Sequence, residues 1–481
     1  MKFGDFAKIK SLQTPQGFRD NLQQLGLAMP CDDTLESAPS SPLAAPLKID
    51  GLNIGNRFAI QPMEGWDAET DGRPSDNTRR RWQRFGSSGA KLIWGGEAVA
   101  VRPDGRANPN QLMLNASTER DIGTMRESLI AAHREAMGSD DGLVIGLQLT
   151  HSGRFCKPND HHKQEPMILY RHPILDRKFK LKPDHPIMSD GDIRKLIDDY
   201  VAVAMRAEAL GFDFVDLKAC HGYLGHEFLS AKTREGDFGG SLENRTRFLR
   251  EIVVGVRAEA PRLKLGLRMS AIDSVSFRPD PALSGPERLG PGTPEEFTAP
   301  YRYGFGLDEN NPLQIDLTET KAVIALARDL GIHLFNITLG SPYYTAPDAP
   351  CAVSALRRLP SAGGSADRRD AASQCGARTE AVIPRCRAGR QWLHLPAGIP
   401  AACRAGSGAR GLDGFCRPRP HGTGLSRVAG RCAEREGHAA QAPVPHLQRL
   451  HHRAAAWAGV RLLSAGCALQ EVAGDGEGDG N

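Results

Sequence analysis

Side chains able to move protons or hold anions recur along the first 350 residues: Glu64, Glu97, Gln148 with His151, His221 with Tyr223, and Arg268. Imidazole and phenol serve as general acids and bases, and a fixed guanidinium stabilises an anion in a site closed to water. Taken singly, each has an ordinary structural reading. A lone His at a strand end is usually a satisfied structural group, a lone Tyr packs, and an isolated Arg pairs with a carboxylate. Gln148 and His151 could simply tie loops together. Their joint occurrence past the ends of successive strands favours chemistry. Glu97, Arg102 and His226 are weaker candidates, and Glu243-Asn244-Arg245 reads as a structural cap for a helix. Cys31, Cys156 and Cys220 lack paired spacing, so reduced thiols and no metal site are expected.

The elements that must position these residues follow one cadence: helix, glycine stop, short apolar strand. After Ser189, placed to cap, Ile193, Leu196, Ile197, Tyr200, Val201 and Ala204 fall on one helical face. Gly211 ends that helix in the left-handed position, and Phe212–Leu217 reads as a strand. The same reading gives strands at Phe58–Gln61, Lys91–Trp94, Leu143–Leu149, Leu263–Met269 and Leu334–Leu339. Such alternation predicts an α/β fold with a parallel sheet, doubly wound or closed as a barrel. Pro62 and Met63 stand where a dinucleotide-binding turn needs Gly. Polar residues at the C-terminal ends of several strands favour a TIM (β/α)8 barrel, with about six of its eight strands before residue 350.

Composition sets outer limits. The 481 residues are 40% hydrophobic and 25% charged, with a formal net charge of +4. That describes a globular protein with ample core and no electrostatic demand for nucleic acid. The N-terminus shows no signal-peptide run and no stretch reaches a membrane span, so a cytoplasmic location without a membrane partner is expected. Residues 1–46 read as an arm and linker, 47–345 as the barrel, and 346–481 as a tail with no domain.

Four segments carry a resemblance: NRFAIQPMEGWD from Asn56, GLQLTHSGR from Gly146, HGYLGHEFLS from His221 and GGSLENRTRFLREI from Gly239. Together they resemble the Old Yellow Enzyme family of FMN-dependent NADH:flavin oxidoreductases and ene-reductases, over roughly residues 47–345. The resemblance implies FMN across the barrel mouth and NAD(P)H as reductant of a small-molecule substrate, with a homo-oligomer compatible. It implies backbone contacts to FMN from Pro62 and Met63, and room for the isoalloxazine edge at Gly96. Gln148 would bond the flavin pyrimidine, and Arg268 would offset the charge of reduced flavin. His221 would bind a substrate carbonyl, with Tyr223 as proton donor. Lys218 stands where relatives carry the first member of a His-x-x-His or His-x-x-Asn pair. An ammonium there would select an anionic substrate or turn outward. With that position changed, amine dehydrogenation or demethylation stays open as the alternative to alkene reduction.

Residues 351–481 hold 18 Arg but no Lys, Tyr or Met, and seven of the ten Cys. Back-translated and shifted by one nucleotide, Gly389–Pro396 can read VGSGYTYL and Arg417–Leu425 can read GLGRMVLV. These resemble the family's phosphate loop and its last strand. The tail therefore reads as out of frame from between about Tyr344 and Ala352, leaving the phosphate site unencoded and FMN binding weak. The competing reading is a non-catalytic protein whose Arg-rich arm binds nucleic acid; scattered Arg among acidic residues argue against it.

Overall fold

Runs of apolar residues buried on both faces become parallel strands, because helices can cover each side. The computed structural model describes residue 7 and residues 9–282 and 292–344; the out-of-frame reading of 346–481 lies outside them. The strands are β1 (Ala59–Ile60), β2 (Leu92–Ile93), β3 (Val144–Thr150), β4 (Phe214–Ala219), β5 (Lys264–Ser270) and β6 (Leu334–Thr338). They lie side by side in chain order, every neighbouring pair parallel. Ala98–Ala100 pairs with the upper half of β3, continuing the β2 position. Order without reversal is barrel winding; a doubly wound sheet would turn back at a switch point. The arc is strongly curled, since Asn336 on β6 donates to Gln61, just past β1, at 2.6 Å.

Helices α1 (Asp76–Ser87), α2 (Glu119–Met137), α3 (Asp190–Ala209), α4 (Arg247–Glu259) and α5 (Thr318–Asp329) follow β1 to β5 in turn. Ser189 caps α3 in a reciprocal box with Asp192, and Gly211 follows it at φ 79°. The buried face of α3 carries Val203, with Val201 only half-buried. Within a helix the 100° step places residue 203 nearer the Tyr200–Ala207 line than a four-residue count from Ile197 suggests.

One end of the arc is sealed. A hairpin of Leu47–Ile49 and Leu52–Ile54 turns at Asp50-Gly51, both with positive φ, which the strand twist favours. Its Ile49 and Ile54 pack on Ala59, Leu92, Val144, Phe214 and Leu334, at or near the N-terminal ends of five strands. Phe214 and Trp94 fill the interior above them, edge to face at 5.6 Å. Gly146 is needed there, because a Cβ would lie 2.3 Å from the Phe214 ring. Only the C-terminal end of the strands is left to hold a site. Among the described residues no helix is long and apolar enough to cross a membrane.

Candidate active site

Side chains alternate along a strand, so Phe214, Asp216 and Lys218 share one face of β4. In register, Asp216 lies opposite Gln148 of β3, and Lys218 opposite Arg268 of β5. All four are buried. Gln148 Nε2 donates to Asp216 Oδ2 at 2.5 Å, which leaves its carbonyl oxygen for another donor. Arg268 Nη1 donates to the Pro62 carbonyl at 3.4 Å. Its Nε is buried without a hydrogen-bond partner, as is Asp216 Oδ1.

The next layer gathers on Glu64, just past β1. Glu64 Oε1 accepts from Lys218 Nζ at 2.7 Å, and Oε2 accepts from the Tyr223 hydroxyl at 2.8 Å and from Trp66 Nε1 at 3.2 Å. Lys218 thus takes neither course expected of it. It does not turn outward, and it is not an open anion receptor, because its charge is already matched. Its ammonium also lies 3.6 Å from the Tyr223 ring centroid. Phe155 and Tyr343 flank Tyr223 at 5.6 and 5.7 Å between centroids. Burial, then the Glu64 carboxylate, pushes the Tyr223 phenol well above its ordinary value.

Supporting contacts explain the remaining candidates. Met63 O accepts from Ala98 N at 3.3 Å. At Gly96 (φ 46°) a Cβ would meet the Trp82 indole at 2.7 Å, so the space kept there is for Trp82. Gly95 faces inward instead, where a Cβ would lie 2.7 Å from Pro62 and 3.0 Å from Gln148. His221 sits half-buried at the mouth with φ 63°, an uncommon conformation for its residue type. Two serines clamp it: its N–H donates to Ser270 Oγ and its carbonyl accepts from Ser341 Oγ at 2.7 Å. Glu97 accepts from Gly65 N at 2.6 Å and pairs with Arg81, fixing the loop that carries Glu64. His226 Nδ1 accepts from Gly222 N at 2.9 Å, a turn contact. Arg102 pairs with Asp104 at 2.7 Å. Arg245 holds the Leu229 and Gly240 carbonyls and Glu319, a structural tie.

Asp216 had no part in the sequence reading, although a carboxylate on the inward face of an apolar strand is a period-two signal. Burial pushes its carboxyl up to about 6, against the pull of Gln148, Trp94, Arg268 and Lys218. A carboxyl raised above its unfolded value binds its proton more tightly when folded. Stability is therefore present below the unfolded value and lost as pH rises through the folded one. Asp216→Asn is expected to be more stable than wild type at neutral pH by about 2 kcal/mol. The difference should vanish below about pH 4; denaturant titrations at the two pH values check this.

Arg268, the free oxygen of Gln148 and the Pro62–Gly95 strip suit the polar edge of a flat heterocycle. Tyr223 is buried and His221 half-buried just past the end of β4. A model of the NADH:flavin oxidoreductase / NADH oxidase family matches residues 42–280. An NADPH dehydrogenase of Geobacillus thermodenitrificans is 30% identical over 50% of this chain and 65% of its own length. A putative 12-oxophytodienoate reductase 3 of Oryza sativa is 30% identical over 53% of this chain and 64% of its own. A probable N-methylproline demethylase of Rhizobium meliloti is 30% identical over 51% of this chain and 34% of its own. The chain thus spans less than two thirds of the length of each of these relatives. Over residues 42–280, this chain is thus similar to the NADH:flavin oxidoreductase / NADH oxidase family.

Proposed function

We propose that the chain descends from an FMN-dependent oxidoreductase moving hydride from NAD(P)H to a small activated alkene. The observation that carries this is Arg268: a buried guanidinium with an unpartnered Nε, beside the Pro62 carbonyl and opposite Lys218 in register. Bound FMN would supply the hydride transfer. Gln148 would accept from the ligand's ring N–H, and Arg268 would offset negative charge on its oxygen edge. His221 would hold a substrate carbonyl, and Tyr223 would hold the proton delivered to the neighbouring carbon.

A second reading has its own support. The Tyr223 hydrogen is aimed at Glu64, so its oxygen can accept from a substrate N–H, as oxidation of an amine requires. The N-methylproline demethylase relative is compatible with that direction.

The out-of-frame reading of the tail leaves the phosphate end of the cofactor without its loop, so FMN is expected to bind weakly and leave the purified chain mostly colourless. Fluorescence titration with FMN checks this, with Arg268→Met expected to abolish the residual binding. A yellow protein with stoichiometric FMN would refute the weakened site. No quenching at millimolar FMN would refute the flavin reading. Sequencing across codons 344–352 tests the change of frame.

A further inference from the structure

One carboxylate receives side chains that begin far apart in the chain. Glu64 follows β1, Lys218 lies on β4, and Tyr223 follows β4. The Lys218 and Glu64 side chains are 5% and 6% exposed, and Tyr223 is 1% exposed. Lys218 Nζ gives Glu64 a hydrogen bond of 2.7 Å, the Tyr223 hydroxyl gives it one of 2.8 Å, and the ammonium also covers the phenol ring. Among the described residues, Tyr343 from the loop after β6 also meets Tyr223, with hydroxyls 3.2 Å apart, and Tyr344 belongs to the same buried cluster. Phe155, from the turn after β3, supplies an uncharged face, and Trp66 spends its N–H on the same Glu64 oxygen as Tyr223.

Two opposite charges therefore act on one phenol. The carboxylate takes the phenol's hydrogen and opposes a phenolate. The ammonium, close to the ring, favours one. In a buried setting either charge shifts a neighbour's ionisation by roughly 1–3 pH units. A pair kept only for stability would do no better than apolar residues of the same volume.

We propose that Glu64 and Lys218 are paired positioning residues for Tyr223. The carboxylate holds the phenol hydrogen until a bound molecule takes it, and the ammonium offsets the carboxylate so that the phenol can release and regain a proton. In that step the Tyr223 hydroxyl turns from Glu64 to the bound molecule, its O–H bond breaks as the proton bonds to the bound molecule's electron-rich carbon, and the phenolate stays beside Lys218 until water returns a proton. Lys218 thereby acts by holding Glu64 and Tyr223, not by touching substrate. The inference rests on reading Tyr223 as the proton-transfer group, yet it is measurable without flavin or substrate, so the two can fail separately.

The test uses the full chain labelled with 13C at tyrosine Cζ, the Tyr223 line being assigned by its loss in Tyr223→Phe. In wild type this line is expected to stay that of a phenol across the native pH range. In Glu64→Gln the uncancelled ammonium should lower the ionisation midpoint by at least about one pH unit. In Lys218→Met the uncancelled carboxylate should keep the phenol protonated, and Lys218→Arg should behave as wild type. The double variant Glu64→Gln/Lys218→Met should return toward wild type, since both charges are gone. Loosened packing would admit water and lower the midpoint in both single variants alike. Equal lowering in both, or no change in Glu64→Gln, would overturn the proposal. If Glu64→Gln does not fold, Lys218→Met decides alone: earlier ionisation overturns the pairing and its absence upholds it.

Discussion

Arg154→Met is expected to destabilise the protein by about 3–5 kcal/mol at neutral pH, because it strands a buried carboxylate. Arg154 is 1% exposed in the turn after β3. It donates to Glu227 Oε1 at 2.9 Å and to the Tyr170 carbonyl at 3.0 Å, and it also pairs with Asp176. Glu227 is itself 5% exposed and lies on the short helix Leu224–Leu229, whose N-cap is Tyr223. Burial already pushes the Glu227 carboxyl up, and Arg154 is the main force holding it down. Without the guanidinium, Glu227 should hold its proton still more tightly, so the cost should shrink as pH falls. Arg154→Met/Glu227→Leu should recover most of the loss, since an apolar pair leaves no charge unpaired. Guanidinium chloride unfolding of wild type and the two variants, followed by tryptophan fluorescence, measures each value. A single variant as stable as wild type would refute the argument.

Gly86→Ala is expected to cost about 3 kcal/mol, despite the better helix propensity of Ala. Gly86 lies on α1 where a Cβ would sit 2.1 Å from the Leu129 carbonyl oxygen on α2 and 3.2 Å from His133 N. Backbone cannot swing aside as a long side chain can, so the helices must part. Parting also strains the neutral His133, whose Nδ1 bonds the Gly86 carbonyl at 2.8 Å while Nε2 accepts from Lys91 at 2.9 Å. Gly191→Ala is the control. On the first turn of α3 its Cβ would meet nothing closer than Ser189 Oγ at 3.7 Å, so no loss is expected. The same unfolding measurement compares the two, and equal stabilities would show that α1 and α2 slide freely.

Much of this architecture was legible beforehand, for identifiable reasons. All six strands fall within two residues of their sequence expectation, because each is an apolar run bounded by turn residues. The Ser189 cap and the Gly211 stop act as local chemistry requires. The hairpin over Leu47–Ile54 was not read, although Asp50-Gly51 is a strong turn signal, because its strands are only three residues long. Asp216 was passed over for a similar reason: one carboxylate in an apolar strand looks like an exception until the strand's inward face is known.

The parallel winding of the described strands, and the end of the sheet where polar groups collect, were legible in the chain. Both follow from short-range patterns, strand period two and helix period 3.6. What those groups do to one another depends on how the sheet brings distant segments together. Lys218 and Glu64 are 154 residues apart in the chain and share a hydrogen bond because the sheet curls the ends of β1 and β4 together. No local periodicity encodes that meeting. It turns Lys218 from an apparent anion receptor into the partner of a carboxylate, and it aims the hydrogen of Tyr223.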